Sequence, residues 1–235
     1  MQNTRRFLLS IVLLFMIVSI SVGQSKIAKK DESASNSTSI GLKVGWYNPS
    51  LDYWKKTSPY YKHADFVGTV SFDGIFDKRI TGNLHLQAGL GYWQVTSSDL
   101  NLDSLGYGNT NLVLTGVPIS IDVMYHVKPL QFSMLTPYVG IGGEVLFIQH
   151  KENFENKENP DPQWGSTMMG SATAGLSASL SDQFMADLGF QYKFGSYKQD
   201  FNIYDDSEIP QVIDVITEEI SLDGIKIGIT LRYLF

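Results

Sequence analysis

Cysteine is absent from the 235 residues, and its absence removes several kinds of chemistry at once. A chain without thiols cannot form disulfide bonds, bind a metal through thiolates or use a cysteine nucleophile. The four histidines show no spacing typical of a metal site, and no serine lies in a G-x-S-x-G motif. We therefore predict no metal site, no cofactor and no enzymatic activity.

Charged residues are scarce as well. They make up 18% of the chain, whereas an ordinary soluble domain has about 25%. The 24 acidic residues outnumber the 18 Lys and Arg, which argues against a nucleic-acid partner. Hydrophobic residues reach 43%, yet the mean hydropathy is only −0.06. The distribution of apolar residues along the chain has to explain this combination.

Only one long apolar run occurs, and it lies at the N-terminus. Residues 7–18 follow two arginines and lead to the small residues 21–23. This order predicts a secretory signal peptide over residues 1–23, since a membrane anchor would need about 20 apolar residues. Its removal changes the net charge from −6 to −8, because two arginines and no acids are lost. Residues 24–37 are polar and aperiodic, and we predict a disordered periplasmic lead-in.

From residue 38 onward, apolar residues recur at every second position in eight segments. Period two is typical of a strand with two different faces, and a strand that crosses a membrane turns one face to lipid. No predicted strand is a continuous apolar run of the kind that is buried on both sides. We therefore predict an all-β domain over residues 38–235, an eight-stranded antiparallel up-and-down transmembrane β-barrel. The apolar faces span residues 40–46, 66–76, 84–92, 117–125, 139–147, 172–180, 184–194 and 225–235.

Three observations favour this barrel over a soluble β-sandwich, in which strands also alternate. Long and short connections follow one another, as the outer loops and periplasmic turns of outer-membrane barrels do. Aromatic residues fall near both ends of the strands, where the membrane interfaces would lie. The polar faces carry mostly Gly, Ser and Thr, whereas a sandwich surface in water would carry many Lys and Glu.

The polar faces of the predicted strands also carry charges, which would point into the lumen. An eight-stranded barrel has an interior just wide enough to be filled by side chains. Because unpaired buried charge is costly, we predict that four acids and four bases pair into a network that closes the pore. A gated polar path is the alternative. The predicted lumen network comprises Lys43, Asp73, His85, Asp122, His126, Glu144, Asp187, Lys193, Lys226 and Arg232.

The last strand ends the chain on phenylalanine, after aliphatic or aromatic residues at every second position. These residues are Ile229, Leu231, Tyr233 and Phe235. The pattern resembles the C-terminal signal by which outer-membrane proteins reach the barrel-assembly machinery, which the resemblance implies as a partner during biogenesis.

Further motifs point the same way. Residues 137–143 and the hairpin of residues 176–192 resemble the outer-membrane beta-barrel domain family, the OmpA/OmpX-like small barrels often called the porin family. The resemblance covers essentially all of residues 38–235. It implies a multi-pass protein in the outer membrane of a Gram-negative-type bacterium, in contact with outer-membrane lipid and lipopolysaccharide. It specifies architecture and leaves the activity open.

The connection between the last two strands, residues 198–219, is strongly acidic. It carries seven acidic residues and one lysine, a net charge of −6. Alternation continues into it from both sides, with irregularities near Gly195 and Gly224, which predicts that the last two strands extend as a hairpin beyond the membrane. A solvated surface is one interpretation of the acidic residues. The other is a site for a partner protein or a divalent cation.

Two classes of function remain open. We predict a structural or surface-interaction protein with a polar, plugged lumen. The alternative is a small-solute transporter or minor porin, or an accessory component of an outer-membrane secretion system.

Overall fold

The protein is described here by a computed structural model that covers residues 38–54, 66–97, 100–101, 109–127, 135–156, 158–159, 161–204 and 212–235. The predicted signal peptide and lead-in, residues 1–37, lie outside the described residues. No helix in the described part of the chain is long and apolar enough to cross a membrane. The strands in that part are β1 (Thr38–Pro49), β2 (Thr69–Thr81), β3 (Leu84–Thr96), β4 (Leu100–Asn101), β5 (Asn109–His126), β6 (Leu135–Phe154), β7 (Gln163–Ser179), β8 (Phe184–Phe194), β9 (Ser196–Tyr204), β10 (Val212–Ser221) and β11 (Gly224–Leu234).

Eight of these strands close into a barrel. Their order is β3-β2-β1-β11-β8-β7-β6-β5, and pairing of β3 with β5 closes the ring. All the pairs are antiparallel. The first and last strands of the barrel meet along their whole length, from Ser39↔Leu234 to Pro49↔Gly224. The eight-stranded antiparallel fold predicted from the sequence is confirmed.

The outward face of the barrel forms an apolar belt. Leu42, Leu90 and Ile141 are 58%, 59% and 71% exposed. A soluble protein rarely exposes so large an apolar surface, whereas lipid acyl chains solvate it without cost. Aromatic side chains such as Trp46 and Tyr92 lie at the outer edge of the belt. The alternation of the sequence therefore sorts side chains between lipid and lumen.

Two residues predicted to face lipid do not contribute to the belt. Phe66 is only 4% exposed. The prediction is wrong there because β2 begins at Thr69, and the preceding chain packs Phe66 among buried residues of the outer end. Ala186 keeps the outward register, opposite Leu231, but it is 4% exposed.

Beyond the barrel, β9 and β10 form a separate two-stranded ribbon with pairs from Ser221↔Ser196 to Val212↔Tyr204. The ribbon continues β8 and β11, so the predicted hairpin extension is present. At the bend, Gly195 has a φ of +156°, which L side chains rarely adopt, and its N–H donates to Asp223 Oδ1 at 2.8 Å. The prediction did not include the base of the ribbon, which is buried against the outer end of the barrel.

Candidate functional site: the barrel lumen

The inner end of the lumen, on the side of the C-terminus, holds an ion cluster around Arg232. Its Nη2 lies 2.7 Å from Asp187 Oδ1, and its Nη1 lies 3.4 Å from Asp77 Oδ1. The same Nη2 donates to Ser177 Oγ at 3.0 Å, and the Ser177 hydroxyl donates to Asp187. Arg232 is 3% exposed, so these contacts are shielded from water. One guanidinium thus joins β11 to β2, β7 and β8.

Two histidines extend this inner cluster. His85 Nδ1 lies 2.9 Å from Asp77 Oδ1, and its ring centroid lies 4.4 Å from that of His126. His126 in turn lies beside Tyr138, with ring centroids 5.6 Å apart. The imidazoles come from β3 and β5, the two strands whose pairing closes the barrel. Within the described residues, no group of three or more His, Asp or Glu could hold a metal ion.

A second set of charges lies farther out, near the middle of the strands. Lys226 Nζ is 2.5 Å from Asp73 Oδ2, which joins β11 to β2. Lys193 Nζ is 2.6 Å from Glu144 Oε2, which joins β8 to β6 across the lumen. Because both pairs are largely buried, each charge depends on its partner for the interaction energy that water would otherwise supply.

Lys43 and Asp122 complete this middle set without a direct ion pair. Lys43 interacts with Asp73 and Asp122 at longer range, and no carboxylate in the described part of the chain lies within 4.0 Å of its ammonium. Asp122 accepts a hydrogen bond from Ser171 Oγ at 3.0 Å. Both residues line a cavity of about 40 Å³. This volume has room for a few water molecules.

Glycines across the strands make room for the large polar side chains. Gly91 lies opposite Asp73, and Gly142 lies opposite Asp122. A Cβ at either glycine would overlap the carboxylate. Small residues beside large ones are what the narrow interior of an eight-stranded barrel requires.

The outer part of the lumen is apolar, so the prediction of a polar interior holds for the inner part alone. The strands there are apolar on both faces, as at residues 145–148. β5 and β6 contain 18 and 20 residues and continue past the belt, where they pack against segments outside the barrel. We call this set the outer apolar cluster. It comprises Tyr47, Leu51, Tyr53, Trp54, Phe66, Trp93, Val95, Leu112, Leu114, Leu146, Ile148, Met169, Tyr197, Ile220 and Leu222.

The structure places the ten residues of the predicted network on the lumen side. Nine of them line the cavity, and the tenth, His85, contacts Asp77. Asp77 is a fifth lumen acid that the sequence interpretation missed. The apolar face of β2 was expected to end at Phe76, but the strand continues to Thr81. Extending the alternation from Asp73 by four residues would have found it.

The C-terminal residues proposed as an assembly signal lie on the outward face. Leu231, Tyr233 and Phe235 are 49%, 39% and 66% exposed, whereas Ile229 is half-buried. Tyr233 also contacts Phe184 of β8 edge to face, with centroids 5.4 Å apart. The signal residues thus form part of the apolar belt.

No family model and no curated protein match this chain. Solved structures do match. The outer membrane protein OprG from Pseudomonas aeruginosa superposes with a TM-score of 0.59 at 13% identity, over 86% of this chain and 96% of OprG. Ail, the attachment invasion locus protein of Yersinia pestis, gives 0.46 at 10% identity, over 86% and 99%. Neisserial surface protein A gives 0.46 at 11% identity, over 85% and 96%.

The closed barrel, its apolar belt and the likeness to OprG define the fold: the chain forms a small eight-stranded β-barrel of the kind seen in that outer-membrane protein. Its architecture is that of the OmpA/OmpX-like barrels, as the sequence resemblance indicated. The outward apolar belt around its eight strands suits a membrane-spanning barrel.

Proposed function

We propose that the protein is a structural or surface-interaction barrel whose lumen does not conduct solutes at neutral pH. The observation that supports this proposal is that interacting side chains from opposite strands lie at three levels of the lumen. Arg232 bridges the inner end, ion pairs span the middle, and the outer apolar cluster packs the outer end. A structural barrel needs this cross-linking, whereas a pore would need a continuous path.

Size supports the same conclusion. The cavity of about 40 Å³ that Lys43 lines has room for only a few water molecules. Passage inward would require unpacking residues such as Leu146 and Trp93, which are 0% and 1% exposed. Passage through the inner end would require separating Arg232 from two carboxylates. Separating buried partners costs several kcal/mol, roughly 3–5 kcal/mol for one broken pair.

Planar-bilayer recordings of the purified protein at pH 7.5 test this proposal. We expect no steady conductance. A combined variant, Trp93→Ala with Leu146→Ala and Arg232→Ala, removes packing from both ends and serves as the control that the assay detects an opened lumen. A large, steady conductance from the unaltered protein would contradict the proposal.

The charges around the cavity favour a second candidate, a minor porin for small polar solutes. Lys43 and Asp122 present opposite charges with no direct partner ion among the described residues, and a path for polar solutes would need such groups. Uptake of small polar solutes into proteoliposomes distinguishes the two candidates. In cells, a deletion strain assayed for envelope permeability, surface binding and protein secretion would also separate a role in secretion.

We propose further that the ribbon of β9 and β10 is the surface that meets a partner. Lys198, Asp200, Thr217 and Glu219 are exposed on it, and its charge favours a cationic partner, either a basic protein segment or a divalent cation shared with lipopolysaccharide. Binding of the protein to lipopolysaccharide vesicles with and without Ca²⁺ tests whether a divalent cation is that partner. Asp200→Asn with Glu219→Gln should remove the Ca²⁺ dependence, whereas Asp182→Asn at the inner end should not.

We also propose the partners that the family resemblance implies. Lipid and lipopolysaccharide contact the apolar belt, and the barrel-assembly machinery binds the C-terminal strand during biogenesis. Deleting Phe235 should slow assembly, because the exposed aromatic end is lost. The measurement is the rate at which the folded, heat-modifiable form appears on a gel. Phe76→Leu on β2, which alters an exposed aromatic outside the C-terminal strand, is the matched control.

A further inference from the structure

Residues 50–54, which we call the mouth turn, connect the outer end of β1 to the outer apolar cluster. Leu51 and Trp54 are 0% and 1% exposed, so the turn is packed into the lumen opening. Two backbone hydrogen bonds fix its start: Ser50 N–H donates to Asp223 O at 2.6 Å, and Leu51 N–H donates to Ser221 O at 3.2 Å. Leu51 has a φ of +49°, a left-handed conformation that leucine avoids. Packing of the buried side chains compensates for this strained conformation.

His150 of β6 lies against the mouth turn. Its ring centroid is 5.0 Å from that of Trp54, and the residue is 4% exposed. It lies three residues beyond Phe147, the last exposed apolar residue of β6, and therefore outside the membrane-spanning part of the strand. An imidazole has an unperturbed pKa of about 6.5 and so changes charge readily under mild acid, and here it is placed among aliphatic and aromatic groups.

The surroundings of His150 favour the neutral imidazole. On its own strand, Glu152 Oε1 lies 3.7 Å from His150 Nε2. Across the ladders, the strand neighbours of His150 are Leu114 of β5 and Gln163 of β7. The described elements packed here also carry Lys151 on β6, Asp52 and Tyr53 in the mouth turn, and Tyr197, Lys198 and Asp200 on β9. Despite Glu152, burial lowers the pKa of His150 to about 4.

We propose that His150 is an acid-operated latch: its protonation releases the mouth turn from the outer apolar cluster. A charged imidazole placed against Trp54 and Leu114 loses its hydration while the turn is packed. It regains hydration once the turn leaves. The proton comes from the external medium. The latch goes beyond the proposed function, which concerns the closed barrel at neutral pH.

The direction of the pH effect follows from the two pKa values. The packed state holds His150 with a pKa of about 4, whereas a released imidazole has the ordinary value of about 6.5. The released state therefore binds more protons between these values, and acid favours it. Between pH 7.5 and 4 the ratio of released to packed turn should rise by about 100-fold.

Cysteine labelling measures this release, because the chain contains no other thiol. In the full-length protein folded in lipid, Leu51→Cys reports on the mouth turn, and Val67→Cys, at a position 66% exposed, corrects for the pH dependence of the reagent. We expect the corrected labelling rate of Cys at position 51 to rise steeply from pH 7.5 to pH 4. Adding His150→Leu should abolish that rise, and His150→Gln provides a second non-titrating variant should the first fail to fold.

Two results would overturn the latch. One is a position 51 that stays protected at pH 4 in the folded barrel. The other is an equal rise with and without His150, which would assign the release to Asp52 or Glu152. A conducting barrel at pH 7.5 would contradict the proposed closed lumen. The labelling rate at position 51 tests the latch separately.

Discussion

The two ends of the lumen are filled by opposite chemistry. Inside the membrane the lumen holds charges and the outward face is apolar, whereas beyond the belt the order reverses. On β6, Glu144 points inward beside the exposed Val145, but Leu146 and Ile148 point inward beside Gln149 and Lys151. The medium outside the strand explains the reversal. In lipid, an apolar side chain gains no hydrophobic free energy by turning into the lumen. In water it does, because turning inward removes it from solvent.

This difference has a consequence for stability. In the inner part, strands are held to one another by ion pairs that reach across the lumen, so each contact has a specific partner. In the outer part, apolar packing holds the strands and the mouth turn together without such partners. Substitutions should therefore act differently at the two levels, and the following predictions run from the largest expected effect to the smallest.

Replacing Arg232 by Met should be the most damaging single change. It leaves Asp77 and Asp187 buried without their cation, and breaking a buried pair in this way costs about 3–5 kcal/mol. Urea unfolding in lipid vesicles measures the loss. Arg79→Met, at a side chain that hydrogen-bonds a turn carbonyl in an exposed position, is the control and should change little. If both variants lost the same free energy of unfolding, the buried ion pairs of Arg232 would stabilise the barrel no more than the exposed hydrogen bond of Arg79.

Truncating the outer apolar cluster should cost slightly less. Leu146→Ala removes a side chain that is 0% exposed, and comparable core truncations cost about 2–5 kcal/mol. The outward-facing Leu90→Ala, 59% exposed, is the matched control in the same assay. Since its side chain leaves lipid rather than a packed core, its loss should be under about 1 kcal/mol. A larger loss at Leu90 would contradict the distinction between the two faces.

A single methyl group should distinguish the lumen from the lipid face. Gly142→Ala pushes a Cβ into Asp122 Oδ1, whereas the neighbouring Gly143→Ala meets nothing closer than 3.5 Å. We expect the first to lower the free energy of unfolding by about 1–3 kcal/mol through overpacking. The second should be nearly neutral. If both were neutral, Asp122 would have space to move and the lumen would be looser than described.

The smallest effect is expected at Lys43. Lys43→Met removes a lumen cation that has no ion pair with the described residues. Its lost long-range attraction to Asp73 is offset by the burial cost that disappears with the charge, so the net change should stay within about 1 kcal/mol. Unfolding curves beside those of Arg232→Met test the contrast. A loss of the same size as for Arg232 would mean that net charge, and not pairing, stabilises the interior.

Strand alternation was enough to predict the barrel, since lipid and lumen impose opposite preferences on neighbouring residues. Asp73 and Glu144 could be placed in the lumen for this reason. The same rule missed the outer apolar cluster, because residues 145–148 are apolar on both faces and period two gives no signal there. Phe66 was misplaced for a related reason, as its face depends on where β2 begins. Ion-pair partners depend on the shear of the barrel, which one strand's pattern does not encode.

The glycines that face lumen carboxylates bear on how the barrel assembles. Period two alone would allow two strands to slide by two residues and still keep every side chain on its proper face. A slide of β6 in one direction would set Glu144 opposite Asp122 in place of Gly142, bringing two carboxylates together. A slide in the other would set Tyr138 opposite Met124, where Gly140 now gives the thioether room. Glycines opposite Asp122 and Met124 therefore favour the native alignment of β5 and β6 over both slides. All three alignments would keep the apolar side chains toward the membrane.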